Sequence, residues 1–193
     1  MANTFHLGYY ARGAKITLVV IEHDTSHESG VIVTDLITMD LSTRQGRIKN
    51  WYVKLKPRGI DTGPKSADDV KNAITCVLEA LKVLHRDPKV YHRDIQWSNV
   101  MQNCEDPTQR FLIDWEEATL EPTAAAAGLC RETHAPQVFV DGHGAEVDIW
   151  GAGRLITTAG IDNLPEGLLS LGRRMMDGSI QSAAQAAEEL KAI

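Results

Sequence analysis

Cysteine is scarce in this chain of 193 residues, which contains only Cys76, Cys104 and Cys130. Three cysteines so widely spaced do not make the disulfide framework of a small secreted domain. No two of them form a Cys-x-x-Cys pair, so nothing in their spacing indicates a zinc site or a redox dithiol. We therefore expect reduced thiols that are mostly buried.

An excess of positive charge and a long apolar run are also absent. Lysine and arginine number 20 against 26 acidic residues, which gives a formal net charge of -6 and does not support broad attraction to nucleic acid or to an anionic membrane. No segment approaches the roughly 18 to 20 apolar residues of a membrane span, and residues 1–10 lack a signal-peptide pattern. We expect an intracellular protein, cytoplasmic or nuclear, whose partners include no nucleic acid and no membrane.

The length and a hydrophobic content of 43% predict one folded domain with a sizeable core. Segments rich in β-branched and aromatic residues predict three early strands, over residues 15–21, 31–37 and 48–55. The polar break between the second and third has hairpin length, so these two are predicted to pair antiparallel. Residues 57–64 (PRGIDTGP) mark a change of composition and are the candidate boundary.

Helical periodicity begins after this boundary. Ser66, followed by Asp69, is close to a capping box, and the apolar face that follows predicts a helix ending near Asp87-Pro88. Two short apolar runs, residues 100–101 and 111–113, predict a β-hairpin. Further helices are predicted over residues 147–159, 164–176 and 182–193.

The stretch after the first helix carries the chemistry. It contains His92-Arg93-Asp94 and, five residues beyond the aspartate, Asn99. In phosphoryl transfer such an aspartate accepts or orients the proton of the attacking hydroxyl, and the asparagine holds a magnesium ion. A second carboxylate must share the metal, and Asp114 follows the next predicted strand, where it can face Asn99 across the hairpin.

In this order and spacing, the motifs resemble the catalytic loop and metal-binding strand of the protein-kinase-like fold. His134-Ala135-Pro136-Gln137 resembles the Ala-Pro-Glu element, and residues 148–153 (DIWGAG) resemble the start of the central helix of the helical lobe. The resemblance implies an α+β, protein-kinase-like fold. A reduced N-terminal β region with the hinge would occupy residues 1–60, and a mainly helical C-lobe residues 61–193.

The resemblance also assigns roles. It implies ATP and Mg²⁺ as cofactors, Asp94 as the catalytic residue, and Asn99 and Asp114 as ligands of the metal and the nucleotide. His92, Arg93 and Asp148 would be structural supports, with Asp148 accepting backbone hydrogen bonds from the turn around His92 and Arg93.

Several parts of a working kinase are missing. No glycine-rich loop or Ala-x-Lys strand is recognisable. The available cations are Lys15, Lys54 and Lys56, the last two in the strand leading to the hinge, and Lys56 is taken as the candidate cation for the nucleotide. The metal-binding triplet reads Asp114-Trp115-Glu116, and Gln137 replaces a glutamate. These departures imply that phosphotransfer is weak or lost.

Three functions follow from this pattern. The first is a degenerate ATP-dependent protein kinase acting on a protein substrate. The second is a pseudokinase that regulates a protein partner. Its uncovered face around Val53, Leu55 and Ile113 is predicted to be masked by the N-terminal arm, by self-association as a homodimer or by the partner. The third is a relative of the aminoglycoside and choline phosphotransferases, which residues 113–116 (IDWE) also resemble.

Some polar residues are given structural roles instead. His85, His134 and His143 have no metal-ligand spacing and are predicted to be surface or capping residues. Arg93 is predicted either to face solvent or to await a phosphate on Thr119 or Thr123.

Overall fold

The computed structural model describes residues 35–36 and 55–193, with side chains from residue 57 onward. Over these residues the protein is α+β, with four helices and small antiparallel sheets. The predicted strand over residues 15–21 lies outside the described residues. No helix in the described part of the chain has both the length and the apolar character needed to cross a bilayer.

The first described strands are β1 (Asp35–Leu36) and β2 (Leu55–Lys56). They pair antiparallel, with Asp35 opposite Lys56 and Leu36 opposite Leu55. The predicted antiparallel pairing of the second and third strand segments is confirmed at these four residues. The rest of both segments lies outside the described residues.

A second sheet joins the boundary segment to the predicted hairpin. Strands β3 (Gly59–Ile60), β5 (Val100–Asn103) and β6 (Arg110–Leu112) are antiparallel, with β5 in the middle. The hairpin is therefore confirmed. A Cβ on Gly59 would lie 2.6 Å from the Phe111 ring, so only glycine fits there without a shift. Because β3 pairs with β5, residues 59–60 are tied to the helical part, although the prediction assigned them to the N-terminal region.

Helix α1 (Ala67–Leu84) begins as its sequence predicts. The Ser66 side chain accepts a hydrogen bond from the Asp69 N–H at 3.1 Å, and Asp69 Oδ2 accepts one from the Lys65 N–H at 3.0 Å. This exchange satisfies two backbone donors at the helix N-terminus. The apolar face of α1 is buried, so the predicted helix is confirmed.

The other three helices are α2 (Glu146–Thr157), α3 (Glu166–Met176) and α4 (Ala183–Lys191). They agree with the predicted segments to within two residues at each end. Helix α2 packs against both α1 and α3, and α4 also packs against both of them. The core is thus built around α2, whose first turn points toward the loop after α1.

One pairing was not predicted. Strand β4 (Val90–Tyr91) pairs antiparallel with β7 (Thr119–Leu120). Tyr91 is 1% exposed and its hydroxyl donates to the Glu121 carboxylate, which reinforces the pairing. Strand β4 precedes the His-Arg-Asp loop and β7 follows the Asp114 region, so their pairing holds these two parts of the chain side by side.

The cysteines correct the sequence prediction. All three are free, but Cys76 and Cys104 are only half-buried and Cys130 is exposed. The expectation of mostly buried thiols is therefore wrong. Burial is still sufficient to raise the pKa of the Cys76 thiol.

Candidate active site

Asp148 anchors the loop that carries the candidate catalytic residues. Its carboxylate is fully buried in the first turn of α2. Oδ2 accepts the His92 N–H at 2.9 Å, and Oδ1 accepts the Arg93 N–H at 2.7 Å. Both predicted hydrogen bonds are therefore present. The His85 ring, at the C-cap of α1, adds a third contact, with Nε2 3.0 Å from Oδ2.

His92 joins this loop to the end of β6. Its Nε2 lies 3.0 Å from the Ile113 carbonyl oxygen, and its Nδ1 accepts the Asp94 N–H at 3.3 Å. Because a carbonyl only accepts, the hydrogen is assigned to Nε2 and the ring is neutral. Complete burial lowers the pKa of His92, which agrees with the neutral form. The ring also packs against Trp115, with centroids 4.5 Å apart.

Asp94 and Asn99 are held together. Asn99 closes a short 3-10 turn (Trp97–Asn99), and its Nδ2 donates to the Asp94 carbonyl oxygen at 2.9 Å and to Asp94 Oδ2 at 2.8 Å. Gln96 Nε2 also donates to Oδ2, at 3.2 Å. Since both Asn99 bonds use the amide nitrogen, the amide oxygen is the atom left to bind a cation.

Asp114 lies just after β6, next to Ile113, which contacts Asn99. The Ile113 N–H donates to the Asn99 carbonyl oxygen at 3.0 Å, which places Asp114 beside the Asn99 turn. Asp114 is exposed, and its carboxylate accepts no hydrogen bond from the described residues. It is therefore free to act as a ligand.

These donors fit magnesium. Mg²⁺ prefers oxygen ligands and usually takes one or two carboxylates, with waters and substrate phosphates completing its shell. The Asn99 amide oxygen and the Asp114 carboxylate supply such ligands. No three His, Cys, Asp or Glu side chains within the described residues form a separate metal cluster.

The backbone is strained at two of these positions. Positive φ values occur at three non-glycine residues in the described chain, namely Arg93 (67°), Asp114 (62°) and Asn163 (60°). Such conformations are costly and cluster at functional sites. The His92 ring contacts the Ile113 carbonyl oxygen, and Arg93 and Asp114 are the residues that follow His92 and Ile113. The strained backbone therefore lies in the candidate site.

Arg93 does not face solvent, which was one of its two predicted environments. Its side chain is 11% exposed and binds the segment after Asp114: Nε donates to the Glu117 carbonyl oxygen and Nη1 to the Ala124 carbonyl oxygen at 3.1 Å. Nη2 lies 3.5 Å from the Glu117 carboxylate. Thr123, one of the residues predicted to carry a phosphate, is buried, and its hydroxyl donates to the His143 carbonyl oxygen at 2.6 Å. Carboxylate and carbonyl groups thus satisfy Arg93 without a phosphate.

His134 is the functional residue that the sequence prediction missed. It is 9% exposed, and its Nε2 lies 2.8 Å from Asp94 Oδ1. His143 is also buried, with Nδ1 2.7 Å from the Val140 carbonyl oxygen. The prediction of surface or capping histidines is wrong for these two, whereas His85 does cap a helix. The available signal was the position of His134 directly before the Ala135-Pro136 pair.

The predicted cation of the nucleotide site, Lys56, has a side chain outside the described residues. Lys56 lies in β2, and the side chains of Val53 and Leu55 are also outside the described part of the chain. Ile113 is half-buried. No lysine or arginine side chain from residue 57 onward makes an ion pair with Asp94 or Asp114.

The chain is similar to a protein named as an effector. It is 40% identical over 145 residues to Crinkler effector protein 8 of Phytophthora infestans, a match that covers 70% of this chain and 24% of that protein. The chain therefore spans about a quarter of the length of the relative it matches. No protein-family model matches the sequence.

Proposed function

We propose that this chain is a protein-kinase-like domain that retains an ATP- and magnesium-dependent phosphotransfer site in its helical part. The observation that carries the proposal is the pair of hydrogen bonds from Asn99 Nδ2 to Asp94, at 2.9 and 2.8 Å. These bonds hold the candidate base in place. Because they use only the amide nitrogen, the Asn99 amide oxygen is left to bind a metal ion beside Asp114. A single arrangement thus supplies a proton acceptor and two metal ligands.

Each residue has a distinct role in this proposal. ATP would supply the phosphoryl group, and magnesium held by Asn99 and Asp114 would neutralise charge on its phosphates. Asp94 orients the substrate hydroxyl and takes its proton. Asp148 and His92 hold the loop in place from α2 and β6, and Arg93 ties it to residues 117–124.

A pseudokinase is the second candidate, and it too has an observation in its favour. The sequence has no recognisable Ala-x-Lys strand, and no lysine or arginine side chain from residue 57 onward makes an ion pair with Asp94 or Asp114. Loss of the cation that clamps a transferring phosphoryl group costs on the order of 10² to 10³ in rate. On this alternative the domain regulates a protein partner or pairs with a second copy.

The similar protein of Phytophthora infestans enters this proposal through its name alone. It is named an effector. We extend that description to this chain as part of the proposal: a protein substrate for the kinase-like function, or a regulated protein for the pseudokinase.

Transfer of radiolabelled phosphate from ATP to a generic protein substrate, and to the chain itself, tests the proposal. Replacing Asp94 by Asn should reduce transfer about 10²-fold, because general-base catalysis contributes at least that much. Asp162→Asn is the matched control, since Asp162 is exposed and far along the chain from the site. Equal signals from the wild type and Asp94→Asn would contradict the phosphotransferase. No signal from the wild type would favour the pseudokinase.

A further inference from the structure

The contact between His134 and Asp94 joins two segments that are distant in sequence. His134 precedes the 3-10 helix Pro136–Phe139, forty positions after Asp94. Both residues are buried, with side chains that are 9% (His134) and 13% (Asp94) exposed, and the Nε2 to Oδ1 distance is 2.8 Å. Because an ionised carboxylate only accepts hydrogen bonds, the hydrogen of this contact is assigned to Nε2.

The imidazole is also held on its other side. Nδ1 lies 2.9 Å from Thr133 Oγ1 and 2.9 Å from the Cys130 carbonyl oxygen. The hydroxyl can donate to Nδ1 in the neutral ring, and the carbonyl can accept from it in the charged ring. The ring therefore keeps the same orientation toward Asp94 in both protonation states.

Counting acceptor positions shows what this contact does to Asp94. A carboxylate can accept about four hydrogen bonds, two on each oxygen. Among the described residues, Oδ2 takes two donors, Asn99 and Gln96, and Oδ1 takes one, His134. One acceptor position is left, on the oxygen that His134 binds.

We propose that His134 is a positioning residue for the phosphotransfer site: it clamps Asp94 Oδ1 and leaves that oxygen a single acceptor position for the substrate hydroxyl. This inference rests on the proposed function. Without the imidazole, Asn99 and Gln96 still hold Oδ2, but Oδ1 has no partner among the described residues and can rotate about the held oxygen, away from the attacking hydroxyl. Misplacing a reacting group by about 1 Å can cost on the order of 10²-fold in rate.

Steady-state kinetics of His134 variants test the role. His134→Ala should lower kcat between about 10- and 10²-fold with little change in the KM for ATP, because the contact is with the base and not with the nucleotide site. His134→Gln, which can still donate a hydrogen bond to Oδ1, should recover most of kcat. The matched control is His143→Gln, which alters another buried histidine that makes no contact with Asp94.

Two results would overturn the inference. One is a His134→Ala variant with wild-type kcat in a preparation where Asp94→Asn is inactive. The other is an equal loss of kcat in His134→Ala and His134→Gln, since a role that depends on hydrogen bonding requires rescue. Failure of the proposed function is a different result, namely no transfer by the wild type, and it would remove the positioning role as well.

Nitrogen NMR of the histidine side chains tests the contact independently of activity. At constant pH, Asp94→Asn should shift the Nε2 resonance of His134 and leave that of His143 unchanged. An unchanged His134 resonance would show that the two side chains do not interact in solution and would also overturn the inference.

Discussion

His92 illustrates how one buried side chain can set the conditions under which the site is intact. Both of its ring nitrogens are used in the neutral form, Nε2 toward the Ile113 carbonyl and Nδ1 toward the Asp94 N–H. Protonation would add the ring's second hydrogen, at Nδ1. The Asp94 N–H already points at this nitrogen, so the two hydrogens would repel each other. The neutral ring is therefore part of the folded structure.

This predicts a pH dependence of stability. Burial lowers the pKa of His92 in the folded protein, so below about pH 6.5 the unfolded chain binds a proton that the folded chain does not. The contribution to the free energy of unfolding is complete above that pH. It decreases as the pH falls, with a slope of at most about 1.4 kcal/mol per pH unit, until the folded-state pKa is reached.

Urea denaturation between pH 5 and 8 measures this slope. A His92→Gln variant should be less stable at neutral pH and should lose part of the slope, because glutamine does not titrate. The same slope in both proteins would mean that His92 is not the group responsible.

At the scale of elements, Asp148 connects α1, the His92-Arg93 turn and α2. Asp148→Asn removes the charge and replaces one of two accepting oxygens by an amide nitrogen. Oδ2 accepts the His92 N–H and lies against His85 Nε2, and Oδ1 accepts the Arg93 N–H. We expect a loss of about 3 kcal/mol in the free energy of unfolding. Exposed Asp162→Asn should change it by less than about 0.5 kcal/mol. Similar values for the two variants would contradict the bracing role.

Helices α2 and α3 approach through glycine. A Cβ on Gly153 would lie 2.6 Å from the Gly172 carbonyl oxygen and 2.8 Å from Met175 Cβ. Gly153→Ala should therefore push the helices apart and cost about 1 to 3 kcal/mol. Gly167→Ala in α3 is the matched control, because its nearest neighbour is a side-chain atom 3.4 Å away.

The control should be neutral or stabilising by up to about 1 kcal/mol, the difference in helix propensity between alanine and glycine. Denaturation curves of the two variants provide the comparison. If Gly153→Ala is as stable as Gly167→Ala, helices α2 and α3 can move apart without loss of stability. Their close approach then does not require glycine at position 153.

At the scale of the whole molecule, local patterns predict what local interactions determine. The capping residue and apolar face of α1 lie within one segment, and so do the two halves of the β5–β6 hairpin, so their positions could be read from the sequence. The pairing of β4 with β7 could not, because each strand has two residues and no periodicity.

The candidate site shows the same difference between local and long-range contacts. The contact between Asp94 and Asn99 could be expected because the two residues lie five positions apart in one loop. The Asp148 hydrogen bonds could be expected only from the resemblance of residues 148–153 to the central helix of the kinase-like lobe. His134 was misjudged because its burial depends on the folding of a segment forty positions from Asp94. The environment of Arg93 likewise depends on residues 117–124, whose position no local pattern determines.

The most direct test of the account is calorimetric titration of the chain with ATP, with and without magnesium. We predict binding that requires magnesium, is lost in Asp114→Asn, and is retained in Glu116→Gln, which removes an exposed carboxylate two positions away. Absence of binding at millimolar ATP, or binding that survives in Asp114→Asn, would contradict the proposed magnesium and nucleotide site.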